Sequence, residues 1–325
     1  MTRLLTILLV IALSACSAAP PMRDAAILPA KPTLSKALSD VRALSAEYGD
    51  KIWAGFSKAH FGVVLVDEDK ETLLCDARLP SGFVAGPFDT ILGCSTAVGP
   101  KSWRQGNMLA AMPAFGPPSV IVMGSPEATR LALPEWKLTV LHEHFHQWQS
   151  QLPDYYRKVD ALDLSNGDKT GAWMLDFAFP YDDVAVEAAF DTASGAMAEA
   201  IDTGSVEDFD TYLAARRKFE IEAGEKNWRY WEFQMWQEGV ARWTEMAIGG
   251  GASDQNVRDA ASNKKIKIMN ALRNPDLKAN RRVSVYAYGA GEAMLLDLHR
   301  PNWRRCYANQ FALAPLLTGE CDPPR

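Results

Sequence analysis

Three of the chain's five histidines fall within five residues, in Leu141-His142-Glu143-His144-Phe145-His146-Gln147. The segment 135–151 follows Pro134, stops before Pro153 and repeats its apolar residues at helical spacing, which predicts a helix. On a helix, residues four apart share a face, so His142 and His146 present two imidazoles to one ion, with Glu143 beside the first. At this histidine content such a pattern is expected by chance only about 0.005 times per chain. Two nitrogens do not complete a metal site, so another part of the fold must bring a third ligand to this helix. His144 sits about 200° round the helix from His142 and reads as a packed or hydrogen-bonded histidine.

His-Glu-x-x-His is the pattern of zinc hydrolases, in which the histidines hold Zn2+ and the glutamate takes a proton from the attacking water. No histidine follows His146 until His299, and the His-x-x-Gly-x-x-His continuation of metzincins is missing, which excludes that class. The segment Gln237-Glu238-Gly239-Val240-Ala241-Arg242-Trp243-Thr244-Glu245 resembles the second zinc helix of gluzincins, closest to the aminopeptidase N group. That resemblance implies Glu238 as third ligand and Glu245, seven residues on, as proton acceptor for a ligand histidine ring. It also implies that Gly239 lets the two zinc helices approach closely.

A further segment, Val285-Tyr286-Ala287-Tyr288-Gly289, is similar to the Tyr-x-x-Gly of the same group, whose tyrosine stabilises the oxyanion. Tyr286 matches by its spacing to Gly289, and Tyr288 is its rival. The chain departs from the group in one respect: Glu238 lies 92 residues after His146, making 152–230 a large helical insertion. Asp176, Asp182, Asp183 and Glu187 therefore compete as ligands, as does His299, and Arg242 is placed to pair with Glu238 or with a substrate carboxylate. The resemblance implies a zincin-like fold and a zinc metallopeptidase acting on peptide or protein substrates. A zinc hydrolase of other amide or ester bonds, or a non-catalytic scaffold, remains the alternative. Trp228, Trp231, Trp236 and Trp243, all in one predicted helix, read as core.

The remaining pattern predicts an α+β fold with a small β-containing N-terminal lobe (about 33–150) and a mostly helical C-terminal lobe (about 151–325). Helices are expected over 34–48, 184–201, 206–222, 228–247, 255–271 and 288–299. Phe61–Val66 and Glu71–Cys75 read as a hairpin, and Ser119–Met123 as a strand. That last strand precedes the metal helix and is the expected sheet edge along which an extended substrate pairs.

The N-terminus carries a separate message. Arg3, the apolar run Leu4–Leu13 and Leu13-Ser14-Ala15-Cys16 resemble a bacterial lipoprotein signal, implying removal of 1–15 and acylation of Cys16. Residues 16–32, small and Pro-rich, read as a tether. Ser17 after the cysteine implies the outer membrane, facing the periplasm, with the lipid as the membrane contact. The other four cysteines suggest disulfides in an oxidising compartment, most economically Cys75–Cys94 and Cys306–Cys321. A net charge of −6 with no basic run speaks against nucleic acid as a partner. Cys16→Ser is expected to block lipidation and normal maturation. Mass analysis of the mature N-terminus checks this, and an unmodified start other than Cys16 would refute it.

Overall fold

The computed structural model describes residues 32–321. The expected signal peptide, Cys16 and the tether up to residue 31 lie outside them. Six strands, β1 (Val63–Val66), β2 (Lys70–Leu74), β3 (Val84–Ala85), β4 (Thr96–Pro100), β5 (Leu109–Met112) and β6 (Val120–Met123), make one sheet. Its order is β3-β4-β2-β1-β6-β5. The expected hairpin is β1–β2, with Val63 opposite Leu74. β1 and β6 run parallel, and β5 returns antiparallel to β6.

The sheet edge differs from the sequence expectation. Val120-Ile-Val-Met123 is buried throughout and sits between β1 and β5, so it is an inner strand. Its unbroken apolar run is what a strand covered on both faces requires. The edge on that side is β5, Leu109-Ala-Ala-Met112, half-exposed and too weakly patterned to stand out in the sequence.

The long helices are α1 (Pro32–Leu44), α2 (Leu133–Ser150), α3 (Val184–Thr203), α4 (Val206–Ala223), α5 (Glu225–Gln234), α6 (Val240–Gly250), α7 (Gln255–Arg273) and α8 (Ser284–His299). The fold is therefore α+β, with its sheet in the first half of the chain. α2 carries the histidines and is fastened to the sheet near both of its ends. The Trp136 indole donates to the carbonyl of Gly124, just past β6. The Gln147 amide donates to the carbonyls of Gly62 and Ser119, just before β1 and β6. One apolar core runs from Leu34 to Leu317, and a small second cluster covers the other face of the sheet. Trp228, Trp231, Trp236 and Trp243 are all buried in the main core. The sulfurs of Cys75 and Cys94, and those of Cys306 and Cys321, are at bonding distance, the pairing expected from the sequence. No helix among the described residues is long and apolar enough to cross a membrane.

α5 and α6 are joined without a break by one π turn, Met235–Gly239. Gly239 does serve a close approach, but to Gly289 of α8 rather than to α2. A Cβ on Gly239 would lie 2.4 Å from the Gly289 Cα, and one on Gly289 would lie 2.8 Å from the Met235 carbonyl oxygen. Backbone meets backbone here, so no side chain can rotate away to make room. Gly239→Ala should therefore destabilise by about 2 kcal/mol or more, as overpacking in a close-packed interior does. The shift of the urea midpoint measures it, and an unchanged midpoint would mean that the helices separate at no cost.

Candidate metal centre

α2 and the π turn bring three side chains together. The Nε2 atoms of His142 and His146 lie 3.1 Å apart, and Glu238 Oε2 is 3.3 and 3.2 Å from them. Among the described residues, these three form the one group of three or more histidine, cysteine or carboxylate ligands gathered tightly enough to hold an ion. Donors placed tetrahedrally about 2.0–2.1 Å from a common centre are about 3.3–3.4 Å apart, so the triangle fits Zn2+ with a small expansion. Three such atoms this close need positive charge among them, from a proton on an imidazole or from a metal ion. Burial opposes protonation of His146, yet Glu238 outweighs it and lifts the imidazole up to about 9. Burial likewise opposes ionisation of Glu238, but His146, His142 and Arg282 hold its carboxyl well below the ordinary range.

Each ligand is oriented from behind. His146 Nδ1 is 2.7 Å from Gln149 Oε1, which accepts its N–H and turns Nε2 toward the centre. The Gln149 amide in turn donates to the carbonyls of Trp236 and Gln237 in the π turn. One side chain thus ties the histidine helix to the turn that carries Glu238. Arg282 donates to Glu238 Oε1 at 2.8 Å, leaving Oε2 to face the histidines. Sequence reasoning missed Gln149 and Arg282. The spacing of Gln149, three residues after His146 on one helix, could have signalled it. Nothing local marks Arg282.

Glu245 is fully buried behind His142, with Oε1 3.8 Å from its Nδ1, too long for a hydrogen bond. It is bonded instead to Arg242 and to Lys264, the latter at 3.2 Å. Burial works against its charge, while Arg242 and then Lys264 keep its carboxyl below the usual range. Arg242 thus pairs with Glu245, and Arg282 takes the place beside Glu238. Glu143 Oε2 accepts the Ala111 N–H of edge strand β5 at 2.7 Å, and among the described residues no lysine or arginine forms an ion pair with it. Tyr286 stands over the site, its ring 6.0 Å from that of His142 and its hydroxyl 3.2 Å from Arg282 Nη1. Burial, then the Glu238 charge, push its phenol upward, so it stays a neutral donor. Tyr288 is buried away from the ligands, among Phe190, Phe219 and Trp231.

The competing ligands lie elsewhere. His299 stacks on Phe209, Asp182 pairs with Arg281, and Asp183 caps α3. Asp176 and Glu187 are outside the ligand group. His144 is sealed between Phe56 and Phe61 on the far face of α2, where burial draws its pKa down to about 4. No protein-family model, curated protein or solved structure matches the chain. Removing Glu245 leaves two half-buried cations without the fully buried carboxylate they share. Glu245→Ala should therefore cost about 3 kcal/mol or more in denaturant unfolding. A loss below about 1 kcal/mol would class the cluster with solvent-screened pairs.

Proposed function

We propose that the chain is a zinc-dependent hydrolase of zincin-like fold, a metallopeptidase held at the outer membrane by a lipid on Cys16. The observation that carries this reading is the convergence of His142 Nε2, His146 Nε2 and Glu238 Oε2 on one point that needs a positive charge. The donor set, two imidazoles and one carboxylate, is that of catalytic zinc, and three protein ligands leave a position open. Bound there, Zn2+ would supply Lewis-acid polarisation and a water acidified to near neutrality.

The chain's own residues account for the rest. Glu143 Oε1, the oxygen not held by Ala111, is the atom that takes a proton from the attacking water and returns it to the leaving group. The Tyr286 hydroxyl, kept neutral, donates to the oxyanion that develops opposite. Edge strand β5 offers unpaired backbone to an extended substrate. The Ala111 N–H, which points away from β6, is taken by Glu143, and by the alternation of an antiparallel ladder the Ala111 carbonyl and the groups of Leu109 also point away from β6. A non-catalytic scaffold has no use for a buried carboxylate that, among the described residues, pairs with no lysine or arginine beside its ligands, which favours the enzyme. A peptide bond is favoured by the β5 edge, because esters and small amides gain nothing from a strand partner.

About one zinc per chain is expected by elemental analysis, with none retained by His142→Ala or Glu238→Ala. Gln149→Leu should weaken zinc by about 10–100-fold, as loss of a histidine-orienting partner does. Glu143→Gln should keep the zinc and abolish peptide cleavage, since it spares coordination and removes the base. A protein that holds no transition metal, or a Glu238→Ala variant that holds zinc like its parent, would overturn the assignment.

A further inference from the structure

A cavity of about 630 Å³ opens beside His142 and Glu143 and runs between α7 and α8. Phe190, Ile268, Leu272 and Ala287 give it apolar walls, and Arg242 and Lys264 stand on its ligand side. Those two cations share a single carboxylate, Glu245, which lies behind them. The cavity's other charged side chains have partners of their own. Lys267 pairs with Glu135 at 3.5 Å, Asp276 caps a helix turn at Ala279, and Glu143 holds the Ala111 amide.

Arg242 is the informative member. Among the described residues its hydrogen-bond partner is Glu245 alone, reached through Nη1. Its Nε and Nη2 edge is therefore unspent, on a side chain 27% exposed. The guanidinium lies 5.1 Å from the centre of the Tyr286 ring, which fixes its position beside the ligands. Two parallel N–H groups on a fixed plane match the two oxygens of a carboxylate.

We propose that this cavity selects substrates carrying a carboxylate beside an apolar side chain. The Arg242 Nε and Nη2 atoms grip the carboxylate, and the apolar body rests on Ile268 and Leu272. The inference rests on the hydrolase reading for its location but is tested without turnover. A free C-terminus and an acidic side chain both supply the group, and suitable probes separate them.

Calorimetric titration of the purified mature protein should compare N-acetyl-phenylalanine, its C-terminal amide and N-acetyl-aspartyl-phenylalaninamide. The free acid should bind about tenfold or more tightly than the amide, the margin of a charge-assisted bidentate contact. The aspartyl compound equals the acid if a side-chain carboxylate serves, and falls to the amide if only the C-terminus does. Arg242→Gln should erase the preference. Arg242→Lys, which keeps a charge against Glu245, should retain only part of it, because an ammonium lacks the fork. Equal binding of acid and amide, no binding of any probe, or a preference that survives Arg242→Gln would overturn the proposal. Zinc-dependent cleavage of neutral peptides alongside equal binding would sink the carboxylate and leave the hydrolase. An Arg242-dependent preference in a protein that cleaves nothing would do the reverse.

Discussion

Two imidazole nitrogens and a carboxylate oxygen sit on a triangle with sides of 3.1 to 3.3 Å. Each of these groups loses its hydration here, so the cluster depends on the positive charge within it and on the elements that hold it. Much of the surrounding structure holds them there. Trp136 and Gln147 fasten α2 to the sheet, Gln149 joins His146 to the π turn, and Arg282 fixes the second oxygen of Glu238. The backbone contact between Gly239 and Gly289 then brings α8, with Tyr286, against that turn.

A second buried network supports α8 from the opposite side. Arg216 of α4 is bonded to Glu232 of α5 and, at 2.6 Å, to Glu292 of α8, which also accepts the Tyr212 hydroxyl. Glu232 continues to the backbone amides of Leu313 and Ala314. A buried cluster of this kind contributes little net stability, because desolvation offsets most of the attraction. What it adds is register: a sliding α4 or α8 would leave a charge unpaired in the core. That specificity is useful to a helix that presents Tyr286 beside His142.

The parts of this site legible in the sequence were those written in local spacing. His142 and His146 four apart announce their shared face, and Glu238-Gly239 with Glu245 seven residues later carries the resemblance. The long helices follow from apolar periodicity, and the disulfide pairs from loop economy. The parts that stayed hidden depend on partners distant in sequence. Arg282 has no local pattern, and its role exists only because α8 crosses the π turn. β5 went unnoticed because a short edge strand needs no strong alternation, whereas the emphatic Val120–Met123 run reflects burial on both faces rather than edge position. Gly239 was read correctly as a contact and assigned to the wrong neighbour, since a glycine records that something comes close but not what.

The π turn has a consequence for where Glu238 points. In an unbroken α-helix a residue seven positions on returns to within about 20° of the same direction, so Glu238 would follow Trp231. Trp231 faces an aromatic cluster of Phe179, Phe190, Phe219 and Tyr288. A helix of uniform winding would thus aim the carboxylate at hydrocarbon. The wider loop between Met235 and Gly239 winds more slowly, and the lag turns Glu238 out of that phase toward the histidines. The direction of Glu238 is thus set by winding as well as by residue identity: the same five residues wound as an ordinary α-helix would point the acid elsewhere.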